Sequence, residues 1–229
     1  NEYTDKMDLS GFSEELLKKG IYNEDELLGI PTGVATLALV VNKTLADEIG
    51  LDFTDVTWEK LLEMGKQVQE YNSDCYFLNV DTAYLLTHVF RPYAMQLTGK
   101  SFINDEELKI NLTDKQITEI LQYISNLYST KTVQAAGETA TFEGAPQTNS
   151  KWVNGEIVCA LTNSSQINNF ASANESAEYT VVNMPVQADS SKQLNDGYSL
   201  DPPQLMCVNK SSEHVEEAVD FLNYFFNNE

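Results

Sequence analysis

The stretch at residues 30–65, IPTGVATLALVVNKTLADEIGLDFTDVTWEKLLEMG, decides the fold class of this chain, because a turn, a strand and a helix follow one another in it. Pro31 and Gly33 interrupt regular structure, and the apolar run over residues 34–41 has the length of a strand that is buried on both faces. Thr57 is a suitable N-cap for a helix that begins at the next residue, where apolar side chains return at helical spacing. The stretch therefore predicts an interior strand followed by an amphipathic helix.

Strands and helices alternate through the rest of the chain as well. Apolar runs predict strands at residues 75–80, 156–161, 178–184 and 204–209, and helical spacing predicts helices at about 83–97, from 114 onward, and after Ser211 or Ser212. Thr113 and Gln116 form a capping box at the start of the second of these helices, and Pro92 is expected to kink the first. Alternation of this kind predicts an α/β fold with a mostly parallel sheet flanked by helices.

The composition is strongly acidic, and this limits what the chain can bind. It has 35 acidic and 14 basic residues, a net charge of -21, and Arg91 is its only arginine. Nucleic acid needs a clustered basic surface, and carboxylate or phosphate groups are normally bound by arginine. The sequence therefore favours a neutral or cationic ligand and excludes nucleic acid as a partner. Solubility alone is the other explanation of the charge.

Residue types that often carry catalysis or metal binding are few and scattered. Cys75, Cys159 and Cys207 each lie in an apolar run and are predicted to be buried small side chains. His88 and His214 belong to no metal-binding or cofactor motif, so we expect neither a metal nor a cofactor. A pair of carboxylates could still hydrolyse a glycosidic bond, because such pairs leave no local motif.

Several short motifs occur in an order that is typical of one protein family. They are Pro31-Thr32-Gly33 before the first strand, Asn42-Lys43 after it, Gly50-Leu51, Thr57 to Leu61, Trp152 to Cys159, Asn209 to Ser212, and Ala218 to Leu222 in the last helix. In this order they resemble the bacterial extracellular solute-binding proteins of ABC transporters, in particular the sugar-binding, maltose-binding-protein-like family 1. The resemblance implies a periplasmic-binding-protein-like α/β lobe.

The resemblance also implies a function outside the cell membrane. A protein of this kind captures a neutral solute, here expected to be a carbohydrate, and delivers it to the permease subunits of an ABC importer without transforming it. We expect a monomer that is lipid-anchored to the outer face of the membrane or lies in the periplasm. The apolar run at residues 34–41 is far too short for a membrane span.

The segments that touch the solute follow from the same resemblance. The expected ligand-binding residues lie in the hinge turn, in the loops after two strands and before the last strand: Gly33, Asp81, Thr82, Tyr84, Asn163, Ser164, Gln166 and Tyr198. The family commonly carries a tryptophan in the second of these loops, and this chain does not. Tyr84 and Tyr198 are therefore the expected stacking rings, whereas Trp58 and Trp152 are expected to be packing residues.

The resemblance sets an expected domain organisation. Family members hold the solute between two α/β lobes, and a long first lobe precedes the element seen here at Pro31. We expect residues 1–34 to be a residual N-terminal-lobe segment and hinge, 35–196 the C-terminal lobe, and 197–229 a return strand and helix. A fragment of this kind would bind its solute only at about millimolar concentration. A natural single-lobe protein is the alternative.

Other functions stay open from the sequence. A polyamine or peptide receptor would suit the acidic charge. A glycosidase-type enzyme would need two carboxylates about 5 to 10 Å apart, with a raised pKa on one of them. A purely structural module would have no concave polar site.

Overall fold

The computed structural model describes residues 4–18, 20–22, 26–104, 107–198 and 204–228. Its α-helices are α1 (Glu14–Lys18), α2 (Lys43–Ile49), α3 (Trp58–Tyr71), α4 (Thr82–Tyr84), α5 (Arg91–Thr98), α6 (Asp114–Ser129), α7 (Ala136–Thr139), α8 (Ser150–Val153), α9 (Ile167–Ser172) and α10 (Val215–Asn227). Its strands are β1 (Ile21–Tyr22), β2 (Glu26–Leu27), β3 (Ile30–Pro31), β4 (Leu37–Asn42), β5 (Tyr76–Asn79), β6 (Ile103–Asn104), β7 (Lys109–Ile110), β8 (Ile157–Asn163), β9 (Tyr179–Asn183) and β10 (Leu205–Met206).

The chain divides into two compact units. The larger unit comprises Thr36–Ser199 and contains a four-stranded sheet together with α2 to α9. The smaller unit comprises Asn1–Ala35 and Leu200–Glu229, and it contains α1, α10 and the antiparallel pairs β1–β2 and β3–β10. The smaller unit is thus built from both ends of the chain.

The sheet of the larger unit is mixed, with the strand order β5-β8-β4-β9. β5 and β8 are parallel, whereas β4 is antiparallel to both β8 and β9. The α/β class is confirmed, but the prediction of a mostly parallel sheet is wrong, because β4 runs against the other three strands. An apolar run reports burial on both faces of a strand, and a central antiparallel strand is buried in the same way.

The core of the larger unit forms on both faces of β4, and all six residues of this strand are buried. The helix predicted after Thr57 begins as expected, since the Thr57 hydroxyl oxygen accepts a hydrogen bond from Lys60 N at 3.1 Å. Trp58 and Trp152 are almost completely buried, which confirms their predicted packing role. A strand covered on both faces has no polar alternation, and this explains the apolar run in the sequence.

α6 confirms the predicted capping box. The Thr113 hydroxyl oxygen accepts from Gln116 N at 3.3 Å, and Gln116 Oε1 accepts from Thr113 N at 2.9 Å. Ile120 and Leu127 are buried, whereas Leu121 is 53% exposed and therefore lies off the packing face. A helix that packs on one side buries only a stripe of its surface.

The helix predicted at about residues 83–97 is present, but it is not a continuous α-helix. α4 passes into a π-helical segment, Leu85–Phe90, which leads directly into α5. Pro92 is the second residue of α5 and follows this segment without a break, so its missing N–H removes one backbone hydrogen bond from the helical run. The irregularity therefore takes the form of widened turns before the proline, and such turns are frequent at functional sites.

The three cysteines differ in their surroundings. Cys75 and Cys159 are buried, and burial raises the pKa of both thiols. Cys207 is exposed, so its predicted burial is wrong. It follows β10, a two-residue strand that forms a two-stranded sheet with β3 among the described residues, so the apolar run there does not lie inside a larger sheet of that part of the chain.

α10 is the longest helix of the smaller unit. It buries Val219 and Leu222, and Phe226 meets Phe12 edge-on with 5.4 Å between the ring centroids. Phe225, one residue before Phe226, is 54% exposed. The reason is that the contacts of this unit cover only one stripe of the helix.

Candidate functional site

Three strands of the larger unit end at the same edge of its sheet. β5 and β8 are parallel neighbours, with Asn79 opposite Ala160. β9 runs in the same direction on the other side of β4, so that Asn163 and Asn183 flank the first two residues of β4. We call this side the carboxyl edge, formed by the segments 79–84, 163–166 and 183–185. In open α/β sheets, ligands bind outside the carboxyl ends of the strands, which makes the carboxyl edge the candidate site.

Asp81 belongs to the first of these segments, and each oxygen of its carboxylate accepts a backbone hydrogen bond. Oδ1 accepts from Tyr84 N at 2.7 Å and caps α4, and Oδ2 accepts from Gly144 N at 2.7 Å. The side chain is buried, with 1% exposure. Bonds to an ionised acceptor are stronger than neutral ones. Asp81 therefore joins the first segment of the edge to Gly144, and its carboxylate is enclosed by the fold.

Tyr84 brings an aromatic ring to the start of the same helix. The ring is half-buried and lies parallel to the imidazole of His88, with 4.2 Å between centroids and 8° between planes. Burial raises the pKa of Tyr84, and the nearby Asp81 charge adds to the effect. The hydroxyl is therefore neutral at physiological pH and able to donate or accept a hydrogen bond. Thr82, two residues earlier, is exposed.

The segment after β8 is a short 3-10 turn, Ser164–Gln166, and the predicted residues Asn163, Ser164 and Gln166 are all half-buried. Ser164 is bound twice to the residue before β4: its N donates to Thr36 O at 2.7 Å, and its Oγ accepts from Thr36 N at 3.2 Å. Gln166 Oε1 accepts from the Asn169 amide at 2.7 Å. These contacts fix the turn at the carboxyl edge.

Tyr198 lies at the β9 end of the carboxyl edge. Its hydroxyl oxygen accepts from Met184 N at 3.2 Å, and its ring packs partly against the main core. β5 and β9 are three strand spacings apart, roughly 14 Å, so Tyr84 and Tyr198 stand toward opposite ends of the edge.

Gly33 is the predicted site residue that belongs to the smaller unit. Its φ is 148°, a conformation that favours glycine, and no atom of the described residues lies within 4 Å of the position that a Cβ would occupy. Its part in a solute site stays a prediction. The other seven predicted residues lie at or beside the carboxyl edge.

A buried amide network at the end of β5 was not predicted from the sequence. Asn149 Nδ2 donates to Asn79 Oδ1 at 2.8 Å and to Gln134 Oε1 at 2.6 Å, and Asn79 Nδ2 donates to Pro146 O at 2.8 Å. Together with the bond from Gly144 N to Asp81, these contacts hold residues 144–149 beside the carboxyl edge. The partners are far apart in sequence, so no local pattern could have revealed the network.

His88 was also missed as a site residue. It is buried, and its Nε2 has no hydrogen-bond partner among the described residues. Burial lowers the pKa of His88 to about 4, with a smaller contribution from the Arg91 charge and an opposing one from Asp81. The imidazole is therefore neutral at physiological pH. Its only sequence signal was a histidine four residues after Tyr84, which predicts a shared helix face.

A family model described as bacterial extracellular solute-binding protein matches residues 2–229. The chain therefore belongs to the bacterial extracellular solute-binding protein family. This confirms the resemblance that its sequence motifs indicated.

Solved structures share the fold across nearly the whole of this chain. A periplasmic solute binding protein from Pectobacterium atrosepticum is 21% identical over 100% of this chain and 56% of its own, with a TM-score of 0.88. A periplasmic oligogalacturonide binding protein from Yersinia enterocolitica, in complex with saturated digalacturonic acid, is 21% identical over 100% and 56%, with a TM-score of 0.87. An ABC substrate-binding protein from Listeria monocytogenes, in complex with cycloalternan, is 17% identical over 99% and 55%, with a TM-score of 0.74.

These matches confirm the periplasmic-binding-protein-like fold. The chain spans just over half the length of each of the three proteins.

Proposed function

We propose that this chain is the solute-binding component of an ABC importer, which captures a neutral carbohydrate outside the cell membrane and delivers it to the permease. The observation that carries the proposal is the family match over residues 2–229. The two neighbours solved with a saturated digalacturonic acid and with cycloalternan support a carbohydrate as the solute.

A neutral carbohydrate suits the charges of this chain better than an acidic one. Carboxylate recognition normally uses the two-pronged guanidinium of arginine. Arg91 is the only arginine, and its guanidinium lies 5.5 Å over the Phe102 ring. Lys60 and Lys192 are already paired, with Asp52 and Glu119. The ligand of the Yersinia protein is therefore not the one we expect here.

A polyamine would need free carboxylates at the site. Asp81 is the one acid among the predicted site residues, and both of its oxygens accept backbone N–H groups. Its side chain is also only 1% exposed, so a cation in solvent has little access to it. The local arrangement thus favours a solute with hydroxyl groups, even though the net charge of -21 would suit a cation.

We infer binding rather than catalysis. Glycoside hydrolysis needs a carboxylic acid whose pKa is raised. The carboxyl groups with resolved shifts, Asp8, Asp52, Asp189 and Glu216, all have lowered pKa values, caused chiefly by hydrogen bonds from serine, threonine or lysine partners. Within the described ranges, no three His, Cys, Asp or Glu side chains form a group that could hold a metal ion.

The proposed site combines the flat rings of Tyr84 and Tyr198 with polar groups that bind sugar hydroxyls. Thr82, Asn163, Ser164 and Gln166 supply those polar groups, Asp81 shapes the first segment, and Gly33 serves as a hinge turn. Affinity would come from several weak contacts along the carboxyl edge.

The proposed partner is the membrane permease of the importer, and the proposed location is the outer face of the cell membrane, through a lipid anchor, or the periplasm. Among the residues that the structure describes, none of the helices combines the length and the apolar character that a membrane crossing requires. Separate experiments would test the lipid anchor and the contact with the permease.

We also propose that residues 35–196 form one of the two lobes that hold the solute, and that residues 1–34 and 197–229 belong to the other lobe. If a complete cleft binds at micromolar strength, about 8 kcal/mol, a single lobe with half of the contacts would bind at about millimolar strength. Weak binding by this chain is consequently expected.

An NMR titration of the isotope-labelled chain tests the proposal. Cycloalternan, digalacturonic acid and spermidine are added separately to about millimolar concentration. We expect cycloalternan to shift amide signals of residues 81–84 and 163–166, and the other two probes to shift them less. Shifts at these segments with spermidine alone would replace carbohydrate by polyamine. No shift at these segments with any probe would refute the proposed site.

A further inference from the structure

We propose that His88 is a positioning residue for Tyr84: its neutral imidazole, held by Thr87 in one tautomer, fixes the plane of the tyrosine ring at the carboxyl edge. This role of His88 rests on the proposed function in one respect, namely that Tyr84 contacts the solute. The positioning itself is a property of the chain alone.

The hydrogen bonds of Thr87 select the tautomer. Thr87 Oγ1 lies 3.0 Å from Ala83 O and 2.6 Å from His88 Nδ1. A carbonyl oxygen can only accept, and a threonine hydroxyl has a single proton to donate. Both contacts are hydrogen bonds only if Thr87 donates to Ala83 O and His88 Nδ1–H donates to Thr87 Oγ1.

The opposite tautomer, with the proton on Nε2, would be unfavourable for two reasons. If Nε2 carried the proton, Thr87 would have to donate to Nδ1, and its oxygen would then face Ala83 O with no hydrogen between them. In addition, Nε2–H would be a buried donor without an acceptor among the described residues. Buried N–H groups without partners are rarer in proteins than acceptors left partly unsatisfied.

The selected tautomer sets the orientation of the imidazole. The bond from Nδ1–H to Thr87 restricts rotation of the ring, and the Tyr84 ring lies 4.2 Å above it at an angle of 8°. Stacked aromatic pairs contribute about 0.5 to 1.5 kcal/mol beyond the burial of their area. Because the two rings stack in parallel, fixing the plane of the histidine ring also fixes the plane of the tyrosine ring.

The backbone of this segment supports the arrangement. His88 lies in the π-helical segment Leu85–Phe90, and Tyr84 is the residue before it. A π-helical turn moves side chains away from the positions of a regular α-helix, and such turns are frequent at functional sites. Charged groups that act on the imidazole are Asp81 and Arg91, whose effects on it have opposite signs.

The tautomer test compares Thr87→Val with Thr87→Ser, which keeps the hydroxyl. Long-range proton–nitrogen NMR at neutral pH distinguishes the two ring nitrogens of His88. We expect Nδ1 to carry the proton in the wild type and in Thr87→Ser, and this preference to be lost in Thr87→Val. A proton on Nε2 in the wild type overturns the proposal, as does an unchanged tautomer in Thr87→Val.

The positioning test compares His88→Leu with His88→Phe, which keeps a flat ring. The stacked ring should displace the Tyr84 ring protons upfield in the wild type, less in His88→Phe, which keeps a ring but loses the bond to Thr87, and not in His88→Leu. If the displacement persists in His88→Leu, another group holds the tyrosine and the proposal is wrong. Thr87→Val decides the question independently where His88→Leu does not fold.

Cycloalternan then separates this inference from the proposed function. We expect its apparent Kd to rise by about 10-fold in His88→Leu, equivalent to about 1.4 kcal/mol, and to be only partly restored in His88→Phe, which keeps the stacking but not the bond to Thr87. If the wild type binds no probe, the proposed function fails, while the tautomer and the Tyr84 signals still decide the role of His88. An equal Kd in wild type and His88→Leu contradicts the positioning role.

Discussion

The side-chain amide nitrogen of Asn149 lies 2.8 Å from the side-chain oxygen of Asn79, although 70 residues separate the two in sequence. Both side chains are almost completely buried, and the same nitrogen also donates to Gln134 Oε1. The pair joins the end of β5 to the segment before α8. It therefore determines which residues border the carboxyl edge on this side.

Asn149→Leu should destabilise the chain by about 2 to 4 kcal/mol. The substitution leaves the oxygens of Asn79 and Gln134 buried without their donor, and each such group costs about 1 to 3 kcal/mol. Urea unfolding followed by circular dichroism measures the change. Asn168→Leu, at an exposed position of α9, is the control and should change stability by less than about 0.5 kcal/mol. Equal stabilities of the two variants would show that the network contributes little.

Gly65→Ala should destabilise the chain even though alanine is the better helix former. A Cβ at this position in α3 would lie 2.2 Å from Thr132 Oγ1 and 2.9 Å from Thr132 Cγ2, and Thr132 is fully buried. We expect a loss of about 1 to 3 kcal/mol from overpacking. The matched control is Gly137→Ala in α7, where no atom of the described residues lies within 4 Å. That variant should be neutral or more stable by up to about 1 kcal/mol.

Gln96→Leu should destabilise the chain, because Gln96 forms several buried hydrogen bonds in the core. Gln96 Oε1 accepts from Trp58 Nε1 at 2.7 Å and from Gln187 Nε2 at 3.2 Å, while its Nε2 donates to Pro185 O at 2.9 Å. Leucine fills a similar volume but leaves these buried groups unpaired, so we expect a loss of about 2 to 5 kcal/mol.

Thermal and urea unfolding of Gln96→Leu are compared with those of Gln67→Leu, at an exposed position of α3. Gln67→Leu should unfold like the wild type. If the two variants lose stability equally, the buried hydrogen bonds of Gln96 are not the cause.

Stability should fall as the pH drops from about 6.5 to about 4, partly because of His88. Burial lowers its pKa from 6.5 to about 4, so the folded chain favours the neutral imidazole, while the unfolded chain takes up a proton near pH 6.5. The contribution is present above pH 6.5 and is lost as the pH falls to about 4. Its size is at most about 3 kcal/mol.

Urea unfolding at a series of pH values tests this dependence. His88→Phe should flatten the stability curve between pH 6.5 and 4, whereas Asn168→Leu, at an exposed position that does not titrate, should leave its slope unchanged. Equal slopes in the wild type and His88→Phe would contradict the assignment of this pH dependence to His88.

Local patterns determined several parts of this protein directly. The apolar run predicted β4, Thr57 predicted the start of α3, and Thr113 with Gln116 predicted the start of α6. Each of these signals depends on neighbouring residues, through burial on both faces, an N-cap or a reciprocal cap. The ordered motifs also identified the family, and the model match over residues 2–229 confirmed it.

The candidate site was predictable only in outline. Segments that follow two strands could be named from the sequence, but their meeting at one edge depends on β5 and β8 being parallel neighbours. The hydrogen bond from Gly144 N to the Asp81 carboxylate was not predictable, because the two residues are distant in the sequence. The stack of Tyr84 on His88 was not predictable either, because its geometry depends on a π-helical segment.

The sequence by itself determined the presence of β4, the starts of α3 and α6, the acidic charge and the family, since these follow from local order and composition. Only the tertiary structure decided the direction of β4, the exposure of Cys207 and the amide network around Asn149. The physical reason is that strand pairing and buried hydrogen bonds join residues that are distant in the chain. Burial likewise depends on what the rest of the fold places over a residue.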